Sequence, residues 1–319
     1  MLLITGATGF IGSHLVEKLG AAGEPVRCLV RRKTLPPWWP PRVEAAFGDL
    51  ASGEGLQEAL RGVDAVIHLA GVTKALRPAD YYAGNAEAAG TLARALARGP
   101  IRLVHVSSLA AAGPGEFLDE AAEPHPVSDY GKSKLEGERL IRALAPEAVI
   151  VRPPVVYGPR DTDVFQMLKS VARGFALEIS GGDRWFSAIY VKDLVDGLLA
   201  AARSPCAAGR TYFLAHPKPA TWGELGSVAA RVMGRKPPRV LRAPFAVAYA
   251  VGCCAEAWSR FTRKPGIISR AKVAEARCTA WTCDPSRAAA ELGFEARTNL
   301  EAGLAETLAW YKEAGWLEY

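Results

Sequence analysis

The stretch "SDYGKSK", residues 128–134, sets Tyr130 and Lys134 four positions apart. In a helix these two share a face, and Ser128 stands where an N-cap belongs. A phenol with its ordinary pKa of about 10 exchanges protons poorly at neutral pH. An ammonium about 5 Å away, at an effective dielectric near 20, favours the phenolate by roughly 3 kcal/mol, or about two pKa units. That would bring Tyr130 toward general acid-base work. Its companion lies 22 residues earlier, where "VHVSS" ends in Ser107 and Ser108. A hydroxyl at that strand end could hydrogen-bond a carbonyl or alcohol oxygen of a substrate.

Such a group is useful only if the chain brings a reactive partner to it. The opening "LLIT" reads as a strand and runs at once into "GATGFIG", then an amphipathic helix and a second strand, "VRCLV". Gly6 can make the sharp turn, Gly9 admits a pyrophosphate to the backbone, and Gly12 lets helix and strand pack closely. The helix N-terminus adds amide donors. Thr8, Phe10 and Ile11 complete the loop expected to meet a dinucleotide. The second strand ends at Val30 and is followed by Arg31 and Arg32, where an NAD site usually carries an acidic residue. A guanidinium there can pair with a 2′-phosphate, which favours NADP(H) and leaves NAD(H) as the alternative. Asp49 and Leu50 in "GDL" fall at the end of the third strand, with Asp49 able to accept from the adenine amine. Leu69, Ala70 and Gly71 in "HLAG" end the fourth, placing small residues under the cofactor. Trp38 and Trp39 in "PPWWPP" could cover the adenine or pin their loop.

Strands alternating with helices through the first half predict an α/β fold, a doubly wound parallel sheet of Rossmann type. The rhythm holds to about residue 157 and returns near 188–203. Residues 1–157 with 188–203 are therefore expected to form the NAD(P)-binding unit, and 158–187 with 204–319 a smaller, mostly helical substrate-binding unit. The six cysteines make no C-x-x-C pair and the five histidines no metal-ligand spacing, so reduced thiols, a cytoplasmic setting and no metal are expected. The opening "MLLITG" reads as a strand, so no signal peptide is expected. A net charge of +6 over 319 residues comes without an aromatic-basic stripe, which argues against a nucleic-acid surface and for a small-molecule partner. The apolar run at 243–255 is too short to span a bilayer. It reads as a buried helix, or as the apolar wall of a substrate pocket with some proximity to membrane.

With "TGATGFIG", "HLAG", "SSL", "YGKSK", "RPPVVYGP", "IYVKDLVDG" and the closing "AAELGFEARTNLEAGLAETLAWY" in place, the chain resembles the extended short-chain dehydrogenase/reductase family, the NAD-dependent epimerase/dehydratase superfamily, from end to end. The resemblance implies Tyr130 as the catalytic acid-base and Ser108 as the substrate-oxygen donor, with Ser107 as its fallback. Lys134 is implied to lower the tyrosine's pKa and to hold the nicotinamide ribose. Pro153, Val156 and Tyr157 are implied to lie by the nicotinamide, with Asn85 at the family's helix asparagine. Relatives commonly dimerise through the helix bearing the tyrosine, so a homodimer is left open.

Three readings follow. "VRCLVRRK" looks like the phosphate-binding strand end of the 3β-hydroxysteroid dehydrogenase and dihydroflavonol reductase branch. That favours an NADP(H)-dependent oxidoreductase interconverting an alcohol and a ketone on a hydrophobic molecule. The second reading is an NAD-dependent nucleotide-sugar epimerase or dehydratase. It is weakened because "GGDRWF" carries Arg184 but has Trp185 where such enzymes usually have Asp, and because Leu109, Ala110 and Ala111 after Ser108 are inert. The third, a non-enzymatic NADP sensor, fits less well, since such relatives commonly lose the tyrosine or lysine that this chain keeps.

Overall fold

A computed structural model describes residues 1–31, 34–97, 99–179, 182–263, 266 and 269–319. Its centre is a parallel sheet of seven strands. Five come from the first third: β1 (Leu2–Thr5), β2 (Val26–Val30), β3 (Glu44–Phe47), β4 (Ala65–His68) and β5 (Arg102–Val106). The order across the sheet is β3, β2, β1, β4, β5, then Val149–Val151 and Thr211–Tyr212. Successive residues serve opposite faces. Leu3, Val66 and Leu103 pack with Leu92, Leu96 and Ile141 on one side. Their neighbours Ile4, Ile67 and Val104 pack with Leu15, Leu19, Leu194 and Leu198 on the other. Helices therefore cover both faces, as the unbroken apolar strands require. The sheet is the doubly wound one expected.

The chain leaves β1 toward β2 and β3, then returns to β4 on the other side of β1. This reversal opens a crevice at the carboxyl ends of β1 and β4, where ligands of such sheets bind. Helix Val191–Arg203 packs on Phe10–Ala21 against the same sheet.

The second half has more strand than its sequence suggests. Thr211–Tyr212, in a stretch expected to belong to the substrate-binding unit, pairs with Val149–Val151 and extends the main sheet. Gly115–Leu118, from the first half, pairs with Ala280–Cys283 in a separate four-stranded sheet. Phe175–Ile179 and Arg239–Ala243 form a parallel pair of their own. A second core of Leu168, Val171, Phe186, Leu225, Leu304 and Leu308 joins helices Val164–Ala172, Trp222–Val232 and Leu300–Glu313. The apolar run becomes helix Phe245–Thr262, but only Ala248 and Gly252 of it are buried. Of the two readings of this run, the buried helix does not hold: among the described residues its main packing partner is the short helix Arg270–Glu275, along one edge. No helix among the described residues is long and apolar enough to cross a membrane. All six cysteines are free.

Candidate active site

The turn after β1 is built from glycine for steric reasons. Gly6 adopts a φ of +73°, and a Cβ there would lie 2.6 Å from the Ala70 nitrogen. A Cβ on Gly12 would come 2.2 Å from the Gly6 carbonyl oxygen. Gly9 is the N-cap of helix Phe10–Ala21 and supplies no side-chain cap, so the first amides of that helix are available to an anion. Thr8 and Gly9 are exposed, and Phe10 and Ile11 half-buried, above the ends of β1 and β4. This cradle suits the diphosphate of a dinucleotide.

The flanking positions are less uniform. Arg31 is exposed just past β2 and makes no ion pair among the described residues; Arg32 lies outside the described residues. The Asp49 carboxylate accepts from the Ala51 amide at 2.9 Å, while the Leu50 side chain is in the core with Leu3 and Leu29. Trp39 donates from its indole to the Val43 carbonyl at 3.0 Å and both tryptophans rest on the core, so they pin their loop. Leu69 and Ala70 are held under the turn, where Ala70 donates its amide to the Thr5 hydroxyl at 3.3 Å.

Tyr130 and Lys134 lie in helix Asp129–Leu144, whose N-cap is Ser128, accepting from the Gly131 amide at 3.2 Å. The helix seats closely because two positions lack side chains. A Cβ on Gly131 would meet the Ala110 carbonyl at 2.3 Å, and one on Gly137 the Asn85 carbonyl at 2.7 Å. Asn85 sits in a π-helical turn, Ala83–Glu87. Its amide side chain accepts from the Val72 amide at 2.7 Å and donates to the Val72 carbonyl and the Ser133 hydroxyl, each at 2.9 Å. This clamp fixes the loop after β4, so that a Cβ on Gly71 would be 3.8 Å from the Lys134 ammonium.

Lys134 is 5 % exposed and donates to the Val106 carbonyl at 2.8 Å. Burial lowers its pKa to about 8, opposed by the charge of Glu138. Glu138 itself is gripped by Arg152 through two hydrogen bonds, at 3.0 and 2.6 Å. Ser108 caps the short helix Leu109–Ala112, accepting from the Ala110 amide at 3.1 Å. Its hydroxyl lies close enough to the Tyr130 phenol to favour the phenolate, but burial outweighs this and raises the tyrosine's pKa. The lowering expected from Lys134 is therefore not found. The ammonium is turned to Val106, and a Coulomb estimate omits the cost of desolvating a phenolate.

Ser107 is buried with no partner for its hydroxyl among the described residues. Pro153 accepts from the Leu109 amide at 2.8 Å, and Val156 is half-buried in the strand Val155–Tyr157. Tyr157 follows in the same strand, next to Val156. Its side chain belongs to the second core, where the hydroxyl points to the Asn299 carbonyl, 3.5 Å away. The His68 and His105 rings lie side by side beneath the site, centroids 5.2 Å apart and tilted by 30°. The Thr5 hydroxyl is 2.7 Å from His68 Nδ1, and burial lowers the His68 pKa to about 3. No cluster of metal-ligating side chains occurs among the described residues.

Several neighbours of Tyr130 had no signal in the sequence. The Tyr81 ring meets it edge-on, centroids 6.2 Å apart. Lys272 from the substrate side favours its phenolate, while Glu275 and Asp163 disfavour it. Lys272 pairs with Glu275 at 3.0 Å, and Lys74 pairs with Asp163 across the crevice. Lys74 and Asp163 are 89 residues apart along the chain, and only the fold joins them.

Comparison with known proteins agrees with this architecture. The model of the NAD dependent epimerase/dehydratase family matches residues 2–215. The chain is 35 % identical over 318 residues to a ceramide reductase of Caulobacter vibrioides, covering 99 % of this chain and 96 % of that one. It is 28 % identical to a 4-hydroxy-2-methyl-3-oxo-4-farnesyl-3,4-dihydroquinoline-1-oxide ketoreductase of Stigmatella aurantiaca, covering 94 % of this chain and 93 % of the relative. Among solved structures, MoeE5 in complex with UDP-glucuronic acid and NAD superposes with a TM-score of 0.78 at 26 % identity, covering 98 % and 99 % of the two chains.

Proposed function

The chain belongs to the NAD-dependent epimerase/dehydratase family and is an NAD(P)-dependent enzyme of the extended short-chain dehydrogenase/reductase type, and within it we propose an NADP(H)-dependent reductase that interconverts a ketone and an alcohol on a lipid-like molecule. The observation that carries this reading is the convergence of Ser108, at the N-cap of Leu109–Ala112, on the Tyr130 phenol at the carboxyl end of the sheet, with the Lys134 ammonium one helical turn on. The glycine cradle, Asn85 and Lys134 would hold the cofactor, with Gly6, Gly9 and Gly12 under its diphosphate and Lys134 at its nicotinamide ribose. When bound, the nicotinamide supplies the hydride chemistry.

The protein's own residues handle the oxygen and its proton. Ser108 donates to the substrate carbonyl and orients it. Tyr130, whose burial keeps the phenol protonated at neutral pH, gives its proton to the oxygen as the alkoxide forms. Lys134, poised near pKa 8, stabilises the phenolate left behind and can pass a proton to it. The substrate side is taken to be 158–187 and 204–319, less the sheet strand Thr211–Tyr212.

Two named reductases of lipid-like molecules among the relatives support the substrate class. The likeness to a complex with NAD and a nucleotide sugar keeps an epimerase as the second reading. Against it, Arg184, the residue nearest to a diphosphate ligand in the sequence pattern, is spent on the carbonyls of Ile179, Arg277 and Cys278. The free state of all six cysteines supports a reducing, cytoplasmic setting.

The test is the dissociation constant of NADPH against that of NADH, for the wild type and for Arg31→Ala and Arg32→Ala, with a check for cofactor retained through purification. A preference for NADPH that falls about tenfold or more in an arginine variant is expected. Retained NAD, or a preference for NADH that neither substitution changes, would exclude the phosphate site and favour the epimerase.

A further inference from the structure

Helix Phe245–Thr262 inverts the usual partition of a surface helix. Its 18 residues include no charge before Glu256. Val247, Val251, Cys254, Trp258 and Phe261 recur at intervals of four and three, which aligns them in one stripe. The stripe faces solvent: Val247 is 54 % exposed, Val251 50 %, Trp258 67 % and Phe261 81 %. The buried pair, Ala248 and Gly252, lies about a third of a turn round the helix, where a Cβ on Gly252 would be 3.2 Å from the Arg270 nitrogen. The large apolar side chains are thus on the outside and the small ones against the protein. Leu241 in the strand leading into the helix, and Leu177 on its partner strand, are exposed as well. An apolar surface of this extent on a folded protein marks a contact with something.

Charge decides with what. Residues 235–277 hold ten lysines and arginines against two glutamates, and the rest of the chain is net −2. Both glutamates are already paired, Glu256 with Arg270 and Glu275 with Lys272. Arg239, Arg260 and Arg263 make no ion pair among the described residues. A second copy laid on this face would bring two positively charged surfaces together. A bilayer with anionic headgroups offers hydrocarbon for the stripe and phosphates for its basic border.

We propose that the helix Phe245–Thr262 docks this protein on anionic lipid bilayers, its Val247–Phe261 stripe lying in the interface and the surrounding arginines at the headgroups. The short helix it packs on, Arg270–Glu275, carries Lys272, one of the charges acting on Tyr130. Docking there turns the substrate side of the crevice toward the membrane. The proposal concerns where the protein sits, and its test reads vesicle binding, so it fails or survives separately from the reaction assigned above.

The experiment is flotation of the full chain with vesicles of phosphatidylcholine alone and of phosphatidylcholine mixed with phosphatidylglycerol. The expected result is binding to the anionic vesicles that weakens in high salt. It should fall about tenfold or more in the double variant Trp258→Ser/Phe261→Ser, and clearly in Arg260→Gln/Arg263→Gln. Val247→Ser/Val251→Ser serves as a second stripe variant, and a cooperative thermal unfolding transition followed by circular dichroism reports that each variant remains folded. Failure of the wild type to float with anionic vesicles would overturn the proposal. So would undiminished flotation of folded stripe variants, or sedimentation velocity showing a dimer that the stripe substitutions dissociate.

Discussion

At the carboxyl end of the parallel sheet the protein buries charge. Lys134 is enclosed against the Val106 carbonyl, Glu138 and Arg152 are paired below it, and two neutral histidines lie together beside it. In helix Phe245–Thr262 the reverse holds, with tryptophan and phenylalanine outside and arginines along the borders. The two regions use desolvation differently. In the first it has already been imposed by folding and shifts the acidities of Tyr130, Lys134 and His68. In the second it is still to come, and becomes available to whatever the surface meets. Substitution should therefore cost stability in the first region and binding in the second.

The largest expected effect is on pH dependence. His68 is neutral in the folded protein, with a pKa near 3 against 6.5 when unfolded. Between those values the unfolded chain takes up a proton that the folded one refuses, so stability present above pH 6.5 is lost as the pH falls toward 3. The loss attributable to this group approaches about 4–5 kcal/mol across the window. Denaturant titrations at several pH values should show a shallower acid loss in His68→Phe than in the wild type; parallel profiles would mean that the buried histidine does not govern this region.

Gly12→Ala comes next. The new methyl would meet the Gly6 carbonyl at 2.2 Å, and backbone cannot swing aside as a side chain can. A loss of about 3 kcal/mol, together with weakened cofactor binding, is expected by denaturation and NADPH titration. Smallest is Trp258→Ser, which should leave stability within about 0.5 kcal/mol of the wild type. A cost as large as that of Gly12→Ala would place Trp258 in a packed interior and erase the contrast.

Local pattern carried much of the first region. The order strand, glycine turn, helix, strand is written in residues 2–30, and the Ser128 cap with the spacing of Tyr130 and Lys134 is legible without a fold. What sequence could not supply was the balance of forces on those groups. The separation of Tyr130 and Lys134 says nothing of how deeply either is enclosed, and enclosure is what raises one pKa and lowers the other. Pairings such as Gly115–Leu118 with Ala280–Cys283, or Lys74 with Asp163, join distant segments and leave no local trace. The apolar run at 243–255 misled for a related reason: composition records that a helix is apolar, and only tertiary contacts record which side of it is covered.

The central claim is that Tyr130 protonates a ketone oxygen while NADPH is consumed. It is tested most directly by comparing the wild type with Tyr130→Phe for NADPH oxidation in the presence of a long-chain ketone, alongside NADPH binding. The account predicts that kcat falls by roughly 10²–10⁴-fold with the dissociation constant of NADPH essentially unchanged. A variant that turns over like the wild type, or a wild type that consumes no NADPH and instead interconverts a nucleotide sugar on retained NAD, would contradict it.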